Sequence, residues 1–189
     1  MQLRYAAVGG AFAAFGVAVG FFFVDFLHTN PPTQDTSATN QSVQGLPVEN
    51  VVLTTVGAVG SGVHPNWVGY LPTTIIHAHP NTILHIEIDQ QDSATGLRNE
   101  YMGLVRGTIG GTMQVNDGKH TMTLQAIDPT TAAHTFSIPD LGVSVPLLGV
   151  TSDQQGNPPQ NTVTFEIHVP GPGLYRWQCF VPCGACTLY

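Results

Sequence analysis

Two stretches of this sequence carry side chains able to do metal or thiol chemistry. Ala133-His134-Thr135-Phe136-Ser137-Ile138-Pro139 sets a histidine at the start of a strand-like run. Gly173-Leu174-Tyr175-Arg176-Trp177-Gln178-Cys179-Phe180-Val181-Pro182-Cys183-Gly184 brings a second strand-like run into a Cys-x-x-x-Cys turn. Imidazole and thiolate together suit copper, because the mixed set serves both of its oxidation states without large rearrangement. One ligand on an early strand and others on a late loop would let a rigid β scaffold hold the metal still during electron transfer. His134, Cys179 and Cys183 are the candidate metal ligands, with copper as the cofactor.

The cysteine distribution favours a local site. Cys179, Cys183 and Cys186 are the three cysteines of the chain, and all fall within its last eleven residues. A disulfide framework spreads its cysteines to close long loops, where cross-linking restrains the unfolded chain most. An odd count also leaves at least one thiol free, metal-bound or joined to another chain. A disulfide between two of the three competes with metal binding outside the cytoplasm. Cys183-Gly184-Ala185-Cys186 has the spacing of thiol redox motifs, but no βαβ pattern accompanies it. His77 and His79, two apart on a strand, would share a face and could chelate a metal, although a solvated pair is the plainer reading. No paired carboxylate, phosphate loop or Ser/His/Asp spacing stands out.

These residues need a β framework, and the composition provides one. Of 189 residues 42% are hydrophobic and only 9% charged, with 21 Gly and 14 Pro. Few charges and many turn-formers disfavour a helical bundle and favour short strands with tight connections. The net charge is -7 with five Lys+Arg, which excludes the basic footprint that nucleic-acid binding needs. From Val48 onward apolar residues alternate with polar ones: Leu84, Ile86, Ile88; Val163, Phe165, Ile167; Tyr175, Trp177, Cys179. Period two is the strand signature, and several such runs mean an all-β sandwich or barrel. Asn116-Asp117-Gly118-Lys119 carries the Asp-Gly pair of a tight hairpin. Ser93–Asn99 and Ser152–Asn161 are polar and read as surface connections.

The amino terminus has a different character. Tyr5 to Val24 is an uncharged run rich in Ala, Gly, Val and Phe, long enough to span a bilayer as a helix, with Arg4 before it and Asp25 after. The positive flank predicts a cytoplasmic amino terminus and an exported remainder. The bulky Phe21-Phe22-Phe23-Val24 end disfavours signal cleavage, so an uncleaved anchor is expected. The sequence divides into an anchor at 1–28, a polar tether at 29–47 and a β domain at 48–189.

The His-Thr-Phe start at His134, the run Leu141-Gly142-Val143-Ser144-Val145-Pro146-Leu147, and Pro172-Gly173-Leu174-Tyr175 leading to Gln178-Cys179 resemble the cupredoxin domain of cytochrome oxidase subunit II. They resemble membrane-anchored cupredoxin-like proteins of prokaryotes more closely still, over roughly residues 48 to 189. The resemblance implies a Greek-key β-sandwich (cupredoxin-like) behind one N-terminal transmembrane helix. His134 matches the family's first histidine ligand, Cys179 its cysteine ligand, and Cys183 the second bridging cysteine of the dinuclear copper site. In subunit II a histidine and then a methionine follow that second cysteine; here the histidine position is Thr187 and the sequence ends at Tyr189. Either the remaining ligands and the returning strand lie beyond Tyr189, which is the expectation, or the domain has lost or rebuilt its site. What the resemblance implies is an extracytoplasmic electron-transfer or copper-handling domain on the cytoplasmic membrane, serving a redox partner protein or a membrane oxidase complex. It would be an electron carrier rather than a self-sufficient enzyme. The alternative is a metal-free cupredoxin-fold subunit with a structural or accessory role in a membrane complex.

Overall fold

A computed structural model of the chain describes residues 16–17, 19–20, 33–35, 37–39, 45–56, 69–97, 99–150 and 160–181. The chain divides into two compact units, Met1–Pro32 and Thr33–Tyr189. In the first, Gly16, Val17, Val19 and Gly20 are helical, and the rest of the expected 5–24 span lies outside the described residues. Among the described residues no helix is long and apolar enough to cross a membrane.

The second unit is mostly β. Its described strands are β1 (Thr33–Asp35), β2 (Ser37–Thr39), β3 (Val48–Val56), β4 (Gly69–Leu71), β5 (Ile75–His77), β6 (Thr82–Gln90), β7 (Met113–Asn116), β8 (Thr121–Leu124), β9 (Ala132–Ile138), β10 (Val143–Leu148) and β11 (Asn161–Val169). Helical structure among its described residues is confined to four short 3₁₀ turns. A seven-stranded sheet runs β2-β3-β6-β11-β7-β8, with β4 also paired to β3. It is mixed: β3 and β6 run parallel, Val48 opposite Ile83 through Thr54 opposite Asp89, while its other pairs are antiparallel. β9 and β10 form a separate antiparallel pair, and β1 lies parallel to β5. β1 and β2 fall within the stretch whose composition suggests a tether.

One apolar core joins the large sheet to the β9–β10 pair. It takes Val51 and Leu53 from β3, Leu84, Ile86 and Ile88 from β6, Val163, Phe165 and Ile167 from β11, and Phe136, Ile138, Val143, Val145 and Leu147 from the smaller sheet. Half-buried β6 and β11 follow the alternation read from sequence, with His85, Glu87, Thr164 and Glu166 on their wetter face. Each such buried branched or aromatic side chain contributes about 1.5–3 kcal/mol relative to an exposed one. β9 differs, because all seven of its residues are buried.

Of two local expectations, one holds and one needs correction. The Asp117-Gly118 hairpin forms between β7 and β8, with a four-residue loop because Asn116 pairs with Thr121. The Asp117 carboxylate accepts from the N–H groups of Lys119 at 2.8 Å and His120 at 2.6 Å, closing the loop around Gly118, whose φ is 84°. The second concerns Tyr175–Cys179, which alternates in burial as a strand would but among the described residues forms only one bridge, Gln178 to Ser137. The Tyr175 hydroxyl turns back on the Gly171 carbonyl at 3.0 Å, and the segment meets β9 at that bridge.

Candidate functional site

His134 is the third residue of β9 and is only 2% exposed. Its position opposite Leu147 of β10 fixes the backbone, and both ring nitrogens have partners. Nε2 lies 2.9 Å from Oδ2 of Asp92, and Nδ1 lies 3.8 Å from Sγ of Cys179. Two of the three expected ligands therefore meet; Cys183 lies outside the described residues.

Cys179 is brought there by the bridge one residue earlier. The Ser137 N–H donates to the Gln178 carbonyl at 3.1 Å and the Gln178 N–H returns to the Ser137 carbonyl at 2.8 Å. Phe180 N–H then donates to the Thr135 hydroxyl at 2.8 Å, and Thr135 N–H donates to Cys179 Sγ at 3.4 Å. Cys179 Sγ also lies 3.7 Å from the Val181 carbonyl, so the sulfur has contacts with β9 and with its own segment. Trp177 stacks on Phe136, with ring centroids 4.8 Å apart, and meets Tyr70 edge-on at 4.9 Å. Its indole N–H donates to the Thr74 carbonyl at 2.9 Å, and the Tyr70 hydroxyl donates to the Thr135 carbonyl at 3.2 Å. These contacts tie the β4–β5 connection and the Cys179 segment to the same stretch of β9.

Asp92 gave no signal in the sequence. It stands just after β6, at the head of the Ser93–Asn99 stretch read as a surface connection. That stretch is a surface connection and is also anchored: Thr95 and Gly96 both donate to the Ala132 carbonyl, at 3.0 and 2.9 Å, and Val150 N–H donates to the Asp92 carbonyl at 2.9 Å. The carboxylate is 23% exposed, so one of its sides is wet while the other faces His134. Burial pushes the His134 imidazolium toward releasing its proton, but the hydrogen bonds to Cys179 and then Asp92 outweigh it, leaving the pKa above its usual 6.5.

A metal such as zinc sits about 2.0–2.1 Å from an imidazole nitrogen and about 2.3 Å from a thiolate. Two such donors at tetrahedral to trigonal angles stand roughly 3.5–3.8 Å apart by those bond lengths. The His134–Cys179 separation matches the upper end, so this donor pair fits a shared soft metal. Asp92 binds the opposite ring nitrogen and belongs behind the imidazole, not on the metal. Among the described residues no group of three or more His, Cys, Asp or Glu side chains is arranged to hold a metal ion. His77 and His79 do not form a chelating pair on one strand: His77 ends β5, while His79 lies beyond it, its Nδ1 2.7 Å from the buried Glu49 carboxylate. Beside the site, an open cavity of about 690 Å³ is lined by Ile76, Leu84, Phe136, Ile167, Tyr175 and Trp177 among others.

The chain has no significant match among protein-family models, curated proteins or solved structures.

Proposed function

We propose that the second unit is a cupredoxin-like Greek-key sandwich that binds copper through His134 Nδ1 and Cys179 Sγ, and that it carries electrons or handles copper. The observation that carries this reading is the 3.8 Å approach of those two atoms from segments 45 residues apart. Bound copper would supply one-electron chemistry. The protein's part is to present an imidazole nitrogen and a cysteine sulfur from a buried strand and the segment clamped to it. Cys183, four residues after Cys179, is the remaining candidate donor of the set. The apolar run at 5–24 and Arg4 support an anchor that keeps this domain on the outer face of the cytoplasmic membrane, where a redox partner or an oxidase complex would meet it.

The test uses the full chain purified in detergent and titrated with copper. A thiolate-to-copper absorption band and a matching electron paramagnetic resonance signal are expected, both lost in Cys179→Ser and in His134→Ala. An intact wild-type chain that develops neither signal sinks the copper reading and leaves the metal-free accessory subunit in its place.

A further inference from the structure

The geometry points to Asp92 as the positioning residue of the site: its carboxylate fixes the His134 ring with Nε2 protonated and the Nδ1 lone pair turned to Cys179. The consequence for copper rests on the reading just proposed; the tautomer itself does not.

A carboxylate can only accept, so the ring nitrogen 2.9 Å from Asp92 Oδ2 is the one that carries the hydrogen. A neutral imidazole has a single N–H, and placing it on Nε2 leaves Nδ1 as the electron-pair donor, on the side where Cys179 Sγ lies. Cys179 at Nδ1 does not make this choice. The Cys179 thiol can serve Nδ1 as donor or, as thiolate, as acceptor, so it tolerates either tautomer.

Asp92 is itself held from behind. Val150 N–H donates to its carbonyl at 2.9 Å, and so does the Gln90 side-chain amide at 3.0 Å. Gln90 is fully buried at the end of β6, and its side-chain oxygen accepts from the Thr55 hydroxyl of β3. Thr55 in turn accepts from Gln91 N–H at 3.0 Å. The carboxylate is thus aimed by a polar chain rooted in the two parallel central strands, which is more structure than a solvated surface aspartate requires. Carboxylate–imidazole pairs behind a metal ligand raise the ligand's basicity, and their loss costs about 10–100-fold in metal affinity. The added negative charge also favours the more highly charged state of a redox metal, which lowers its reduction potential.

The full chain in detergent micelles, labelled with ¹⁵N at histidine, gives the first readout without any metal. At a pH where His134 is neutral, the wild type should show the Nε2-protonated tautomer alone, and Asp92→Ala should show both tautomers in exchange. An unchanged His134 spectrum in Asp92→Ala overturns the assignment. The second readout uses Asp92→Asn, which keeps the shape and removes the charge. Copper affinity should fall about 10–100-fold and the reduction potential should rise; a potential equal to wild type removes the electrostatic part of the role. If the wild type binds no copper, the function proposed above fails while the metal-free spectra still decide the role of Asp92.

Discussion

Thr135 holds the Cys179 segment from two directions: its backbone N–H donates to Cys179 Sγ at 3.4 Å, and its hydroxyl accepts from the next residue's N–H at 2.8 Å. A single buried residue of β9 therefore sets both where the sulfur sits and which way the chain leaves it. The arrangement depends on a hydroxyl. Thr135→Val keeps the volume and branching but leaves the Phe180 N–H without its acceptor. The expected loss is about 1–3 kcal/mol, read from denaturant unfolding. Thr135→Ser, which keeps the hydroxyl, should recover more than half of that loss. Equal stability of the wild type and the Val variant would show that the clamp contributes nothing.

The His134 proton predicts a pH dependence of the metal-free fold. Burial opposes the charge, but the bonds to Cys179 and Asp92 prevail and raise the folded-state pKa above 6.5. A group bound more tightly to its proton in the folded state stabilises fully below its unfolded pKa, and that contribution is lost as pH climbs through the folded value. Unfolding midpoints of the copper-free chain should therefore fall as the pH rises from 6.5 through the raised His134 pKa. His134→Gln should flatten this decline; a parallel decline in the variant would assign it to another group.

Gly149 controls how closely the Asp92 loop approaches β10. A Cβ built there would stand 2.5 Å from the backbone nitrogen of Ala94 and 2.7 Å from its Cα. Those atoms belong to the main chain and cannot swing away. Gly149→Ala should cost on the order of 1–3 kcal/mol, as overpacking does, and should displace the Asp92 carboxylate. The same ¹⁵N spectra of His134 would register that displacement. A variant as stable as wild type with an unchanged His134 would contradict the close approach.

Phe136 links the core to the wall that carries Cys179. It is 1% exposed, packs against Phe165 at 5.5 Å and stacks on Trp177. Phe136→Ala should lose about 3–5 kcal/mol and alter the near-ultraviolet circular dichroism of Trp177. Phe136→Leu should keep most of the stability and lose the aromatic signal. If both variants retain that signal, Trp177 takes its environment from other neighbours.

The fold was legible where one face of a strand is wet. β6 and β11 announce themselves because Leu84, Ile86, Ile88 and Val163, Phe165, Ile167 alternate with residues that stay half-exposed. The alternation at Tyr175, Trp177 and Cys179 correctly marks which side chains turn inward, but alternation carries no information on whether a ladder forms. His134 and Cys179 were legible by residue type and by the family resemblance. Asp92 was not, because it lies 42 residues from His134 in a polar stretch with nothing periodic about it. Its placement comes from main-chain bonds to Ala132 and Val150, and such bonds leave no trace in side-chain identity. The hairpin at Asp117–His120 was legible from its Asp-Gly pair, while the register of β7 and β8 sets the loop's length.

The parallel pairing of β3 and β6 has a consequence in time. No short turn can join parallel neighbours, so this pair cannot zip up from a hairpin as β7 and β8 can. Val48 must find Ile83 across the whole intervening chain, and the entropy of that loop closure precedes any gain from contact. Refolding should be slow for a domain of this size, with the β7–β8 hairpin protected from hydrogen exchange early and the β3–β6 amides late. The Thr55–Gln90 link behind Asp92 spans those same two strands, so the aim of the His134 ring is among the last things this domain acquires.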